Sequence, residues 1–198
     1  MDYLATGLFL MSAIALLGSP GPAIAALLAV GRTEGMSRGM KYYGGLQVGL
    51  AAAAGISGAG LFSLLELMPA ALVAMSIGAA LYLIYLSYQI ATAPVGPGRT
   101  EIRSSSSPLA GLFLGLSNPK AYVAFISLYA SHALIAGDQQ LDSTLKWILC
   151  VIVMIVVDLG WLLIGVGLGK ARLGPAAERA LNICLGLMVL VATILAFF

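Results

Sequence analysis

Charge is scarce in this sequence. Lys and Arg number 10 and Asp and Glu 8 in 198 residues, 9% together, against 61% hydrophobic residues and a mean hydropathy of +1.02. Soluble domains carry roughly 25% charged residues, so a surface facing water is excluded and the natural solvent is a lipid bilayer. The net charge of +2, with its basic residues spread over loops, excludes a nucleic-acid partner. Histidine is limited to His132 and cysteine to Cys150 and Cys184, too few to build a soft metal site, so no metal is expected. The two cysteines fall in apolar runs that the topology below puts near opposite faces, which argues against a disulfide. No GxxxxGK[ST] motif occurs, which excludes a primary pump built on this chain, and no cofactor is expected. The N-terminal apolar run lacks the basic flank of a signal peptide and reads as a retained helix.

What the sequence does have is long apolar runs. Windows at about 4–29, 43–65, 69–90, 109–132, 146–168 and 179–198 each reach the roughly 20 residues a spanning helix needs. The breaks between them have local causes: a charged, Gly-rich stretch from Gly31 to Lys41, a turn from Glu66 to a helix-starting Pro69, and a Pro- and Ser-rich linker over about 91–108. The expected fold is therefore an all-α membrane protein of six transmembrane helices in one domain, 1–198. The odd-numbered loops hold Arg32, Arg38, Lys41, Arg99, Arg103, Lys170, Arg172 and Arg179, while the other side holds Lys146 as its one basic residue. The positive-inside rule then puts those loops in the cytoplasm and both termini outside.

Three helices per half make the halves, about 1–90 and 109–198, enter the membrane in opposite senses: an inverted 3+3 repeat. Both halves carry a proline inside an apolar run, Pro20 in Ser19-Pro20-Gly21-Pro22 and Pro119 in Ser117-Asn118-Pro119-Lys120, 99 residues apart. Proline removes a backbone donor and clashes with the preceding turn, so helices 1 and 4 are expected to be broken. The freed backbone groups must be buried or line a wet cavity, and a half-helix starting near Pro22 would offer its N–H groups to a carboxylate. A packing kink is the alternative for either motif taken alone.

Lys120 and Asp158 each lie about 16 Å along their helices, near the middle of a hydrocarbon core about 30 Å thick. Charged groups at that depth cost at least about 2.5–3.5 kcal/mol unpaired. They either neutralise one another, or Asp158 holds a substrate ammonium or exchanges a proton while Lys120 steadies the break or meets an anion. Ser19, Pro20, Gly21, Pro22, Gln47, Asn118, Pro119, Lys120 and Asp158 are the candidate substrate-binding residues, with Tyr82 and Tyr85 weaker ones. Tyr42, Tyr43 and Tyr88 read as interfacial anchors. Gly35, Gly39, Gly45, Gly49, Gly160, Gly165, Gly167 and Gly169 read as close-packing positions.

Ser19-Pro20-Gly21-Pro22, the Gly35/Gly39/Gly45/Gly49 spacing, the block Ala80 to Leu86 and Asn118-Pro119-Lys120-Ala121 together resemble the landmarks of the LysE/RhtB amino-acid exporters. Ser87 stands where that family usually carries glycine. The resemblance implies a bacterial cytoplasmic-membrane protein, acting singly or as a homo-oligomer. It further implies export of amino acids or related small metabolites, driven by protons, and no enzyme activity. Two other readings compete: a pore-type channel for small solutes, and an intramembrane serine protease using Ser57 of Gly55-Ile56-Ser57-Gly58 with His132 as base.

Overall fold

A computed structural model describes residues 2–60, 69–93, 95, 106–171 and 174–197. Among them the chain is all-helical: α1 (Tyr3–Gly18), α2 (Pro22–Gly58), α3 (Pro69–Ala91), α4 (Pro108–Ser117), α5 (Pro119–Tyr129), α6 (Gln139–Lys170) and α7 (Pro175–Phe197). The linker expected over about 91–108 falls mostly outside the described residues, as do Glu66, Arg99, Arg103 and Arg172.

The starts of these helices follow from their caps. Asp2 accepts from the amides of Leu4 and Ala5, Ser107 from Ala110, and Asp138 from Leu141. Each side-chain oxygen thereby satisfies first-turn donors that have no partner within the helix. α1 with α2 bends by 61° at the first proline motif, and α4 with α5 by 53° at the second.

The stretch from Gly31 to Lys41 is not the loop that its charges and glycines suggest. α2 runs through it with one non-helical residue, Gly35, at φ 75° and ψ −170°. That left-handed conformation suits glycine, and it divides α2 into two arms. α6 likewise starts earlier than its apolar window, at Gln139, so Lys146 lies inside a helix rather than in a loop.

Several charged side chains lie inside while much hydrocarbon faces outward. Every residue from Gly21 to Arg32 is buried, making the first arm of α2 the central element, since a helix hidden on all sides belongs to a core. Leu81, Val123, Ile152, Val156, Leu163, Leu187 and Val191 are exposed, whereas Arg32, Asp142, Lys146 and Asp158 are buried. Gln139–Lys170 and Pro175–Ile194 are each long and apolar enough to cross a membrane, and each bent pair meets the same requirement as a unit. The chain thus has the makings of a multi-pass membrane protein, with two to four spans by length and composition alone.

The two ends of the bundle are distinct. One collects Gly35, Ser107 and Lys170, and there helices touch backbone to backbone. A Cβ on Gly45 would sit 1.8 Å from the Pro108 carbonyl oxygen, one on Gly49 2.4 Å from that of Leu112, and one on Gly165 2.3 Å from that of Leu28. Small residues permit such approach where lipid supplies no hydrophobic drive between helices. Cβ atoms on Gly35, Gly160 and Gly167 would meet nothing within 4 Å, and Gly35 forms the bend of α2, so close packing is the wrong reading for these three. Gly45→Ala is expected to lower the melting temperature of the detergent-solubilised protein by about 5–10 °C through overpacking. Gly44→Ala, whose Cβ meets nothing within 4 Å, should leave it unchanged.

The opposite end is tied by side chains. Asp142 accepts from the amides of Leu134 and Ile135 and pairs with Lys146 at 2.9 Å, and Lys146 also donates to the Tyr129 carbonyl that ends α5. Trp147 donates to the Ala51 carbonyl at 2.9 Å. Tyr42 and Tyr43 are not interfacial anchors: both are buried, and the Tyr43 hydroxyl donates to the Ile155 carbonyl. Tyr88 is exposed.

Candidate functional site

The two proline breaks meet in space. α1 stops at Gly18 and α2 restarts at Pro22, while α4 stops at Ser117 and α5 restarts at Pro119. Lys120 crosses from one break to the other. Its ammonium donates to the Ser19 carbonyl, to the Ser19 hydroxyl at 2.8 Å and to the Pro20 carbonyl at 2.9 Å. These oxygens lie in the break just past the C-terminal end of α1, where a cation is favoured by the helix dipole. Gly21 makes room for the crossing: a Cβ there would lie 2.7 Å from Lys120 Cδ and 2.9 Å from its Nζ.

Around the crossing is a small cavity of about 40 Å³, lined by Ser19, Gly21, Asn118, Lys120 and Asp158 among polar or backbone-bearing positions, with Leu50 and Met154 among its apolar walls. One water needs about 10–15 Å³ and a drug-sized ligand about 300–1,000 Å³, so an amino acid enters only if the walls move.

Asp158 is 3% exposed and accepts from Gln47 Nε2 at 2.7 Å. Because Gln47 spends its amide N–H on Asp158, its Oε1 is turned away, and that oxygen is buried with no partner. Asn118 Oδ1 is buried and unpartnered as well. Lys120 and Asp158 line the same cavity yet do not pair with each other; the neutralising ion pair that their matched depth allows is not made.

The helices that begin at the cavity differ from the capped ones. α2 begins at Gly21-Pro22 and α5 at Asn118-Pro119, and neither N-terminus receives a side-chain hydrogen bond. The first bond back into α2 comes from Ala25, to the Gly21 carbonyl at 2.9 Å. The amides of Ala23 and Ile24 precede it and have no acceptor within the helix. Uncapped N–H groups and the positive end of a helix dipole form a ready seat for an anion.

All nine candidate residues belong to this crossing or its immediate neighbours, although Pro22, Pro119, Pro20 and Gln47 do not line the cavity itself. Pro22 and Pro119 act as first-turn prolines that start the half-helices, and Gln47 acts through Asp158. Tyr85 points elsewhere, to Gln89. Tyr82 belongs to a second polar group, around Glu34, that the sequence does not mark as a group. The Glu34 carboxylate accepts the Ser106 hydroxyl, and Tyr42 and Tyr82 lie near enough to feel its charge. The signal available was weak: one acidic residue in a basic loop. Ser57 gives its hydroxyl to the Ala53 carbonyl one turn back and not to His132, so the serine–histidine arrangement that proteolysis needs is not assembled.

The sequence profile of the LysE type translocator family matches residues 14–198. No solved structure matches the chain.

Proposed function

Since this chain belongs to the LysE type translocator family, we propose that it is a secondary transporter that exports amino acids or related small metabolites from the cytoplasm in exchange for protons. The observation that carries the proposal is the pair of uncapped half-helix N-termini facing a cavity that also holds one buried carboxylate. A zwitterion fits that polarity. Its carboxylate takes the Ala23 and Ile24 amides, and its ammonium takes Asp158, which Gln47 orients. Lys120, saturated by three oxygens of the first break, braces the site and does not bind the substrate.

In this reading six passes cross the bacterial cytoplasmic membrane: α1 with the first arm of α2, the second arm of α2, α3, α4 with α5, α6, and α7. The Gly35–Lys170 end is cytoplasmic by its excess of basic residues, and both termini are outside. Two contacts support an inverted repeat. Ser87 in α3 donates to the Gly186 carbonyl in α7, 99 residues on, and the Lys120 side chain passes over Gly21, also 99 residues away. A residue that meets its own counterpart is what a two-fold axis produces. The hydrogen bond also gives Ser87 a use in place of the family's usual glycine.

The test is transport by the purified protein in liposomes. An imposed pH gradient should drive uphill movement of an amino acid from a broad panel, and a protonophore should abolish it. Downhill flux that ignores the gradient would instead favour a pore.

A further inference from the structure

The cavity stops abruptly toward the Gly35–Lys170 end. One helical turn beyond Ile24 on α2 is Leu28, and one turn beyond Asp158 on α6 is Leu162. There the two helices close on each other. A Cβ on Gly31 would lie 2.6 Å from the Leu162 carbonyl oxygen, and one on Gly169 2.6 Å from that of Arg32. Leu162 itself is fully buried between both arms of α2: its Cδ1 lies 3.1 Å from the Cβ position of Gly31 and 2.7 Å from that of Gly39. Gly31 and Gly39 flank the hinge at Gly35, so α6 plugs the inside of an elbow. The buried Arg32 side chain fastens the far end of the seam, donating to the Leu168 carbonyl at 3.1 Å.

Toward the other end the contacts run through side chains, with the Cβ position of Gly55 in α2 lying 3.5 Å from Trp147 Nε1 of α6. Gly18 of α1 meets α6 through Val157 Cγ1 at 3.3 Å, and Gly58 of α2 meets the Tyr129 ring of α5. Backbone contact on one side of Asp158 and side-chain contact on the other make the two exits unequal.

We propose that the insertion of Leu162 into the α2 elbow is the cytoplasmic gate of the transporter, and that this conformation has it shut. Opening swings the end of α6 out of the elbow, with Gly35 taking up the change in α2. This seam, rather than the Gly45–Pro108 contact, is the moving one because it spans the bend at Gly35, with Leu162 packed against both arms of α2. The proposal rests on the exporter reading for the word cytoplasmic and for what passes through, but the gate has its own readout.

The experiment starts from protein with Cys150 and Cys184 replaced by alanine and Met154→Cys placed in the cavity wall. A membrane-impermeant maleimide applied to the cytoplasmic face should label Cys at 154 slowly. Adding Gly31→Leu, a wedge against the Leu162 backbone, should raise that rate at least tenfold. An unchanged rate in a folded, monodisperse Gly31→Leu variant overturns the gate. A second variant covers the case in which the wedge does not fold: Gly39→Cys with Leu162→Cys, without the reporter at 154. Oxidative cross-linking of that pair should abolish transport, and reduction should restore it. Undiminished transport by fully cross-linked protein overturns the gate equally. If the parent with Cys150 and Cys184 replaced moves no amino acid at all, the exporter reading fails, while the labelling result still decides the gate.

Discussion

Asp158→Asn is expected to leave the protein folded and to remove its response to a pH gradient. Asparagine keeps the shape of the side chain, and its carbonyl oxygen still accepts the Gln47 amide that now reaches Asp158 at 2.7 Å. What disappears is the charge and the capacity to exchange a proton. Hydrogen bonds to a charged partner are worth about 1.5–3 kcal/mol, so loss of the carboxylate should weaken binding of a substrate ammonium about 10- to 100-fold. Coupling should suffer more than binding. In liposomes at saturating substrate, exchange of labelled for unlabelled substrate should persist while uphill accumulation falls to background. A variant that accumulates substrate as the parent does, at the same pH gradient, removes Asp158 from the coupling role. Gln47→Leu offers an independent comparison: it takes away the donor that orients the carboxylate and should raise KM while coupling survives.

Much of this site was readable from the sequence, because proline acts locally. Pro20, Pro22 and Pro119 remove backbone donors wherever the chain goes, so the breaks in the first and fourth apolar runs follow from covalent structure. Residue counting along helices puts Lys120 and Asp158 at one level, and both line the cavity. Their partners do not follow from counting. Lys120 turns to Ser19 and Pro20 because the two breaks cross, and a crossing is a fact of tertiary packing about a hundred residues apart in sequence.

The same limit explains the other differences. Gly31 to Lys41 has the composition of a loop, but two helical arms joined at Gly35 satisfy its backbone, and both pack against Leu162 of α6, a distant partner that composition does not report. Tyr42 and Tyr43 look like interfacial residues by position. Their burial depends on neighbours contributed by α4 and α6, which no local pattern reports. Among the glycines, spacing alone does not separate Gly165, pressed against the Leu28 carbonyl, from Gly167, which touches nothing.

Lys120→Met is expected to be the more damaging change at the site, and damaging in a different way. Methionine keeps much of the apolar stem but leaves the Ser19 carbonyl, the Ser19 hydroxyl and the Pro20 carbonyl without the ammonium that joins them. A buried acceptor left unmade costs about 1–3 kcal/mol. Because the Ser19 bonds are only part-buried and the Pro20 bond is exposed, a total of about 2–4 kcal/mol and a fall in melting temperature of about 5–15 °C follow. Transport should be lost with the geometry of the break. If Lys120 instead bound the substrate anion, the variant would melt like the parent and only KM would rise. Lys120→Arg discriminates further: the planar guanidinium is broader than an ammonium and meets the ceiling set by Gly21, so it should rescue stability only partly. The decisive measurement is a double-mutant cycle. Gly21→Ala alone should destabilise, because its Cβ would stand 2.7 Å from Lys120 Cδ while the ammonium beyond is pinned by three oxygens. In the Lys120→Met background the same alanine should cost less by about 1–2 kcal/mol, since the unpinned methionine can move aside. Additive losses would mean that Lys120 and Gly21 act separately, and that the break in helix 1 is held by something other than the lysine crossing over it.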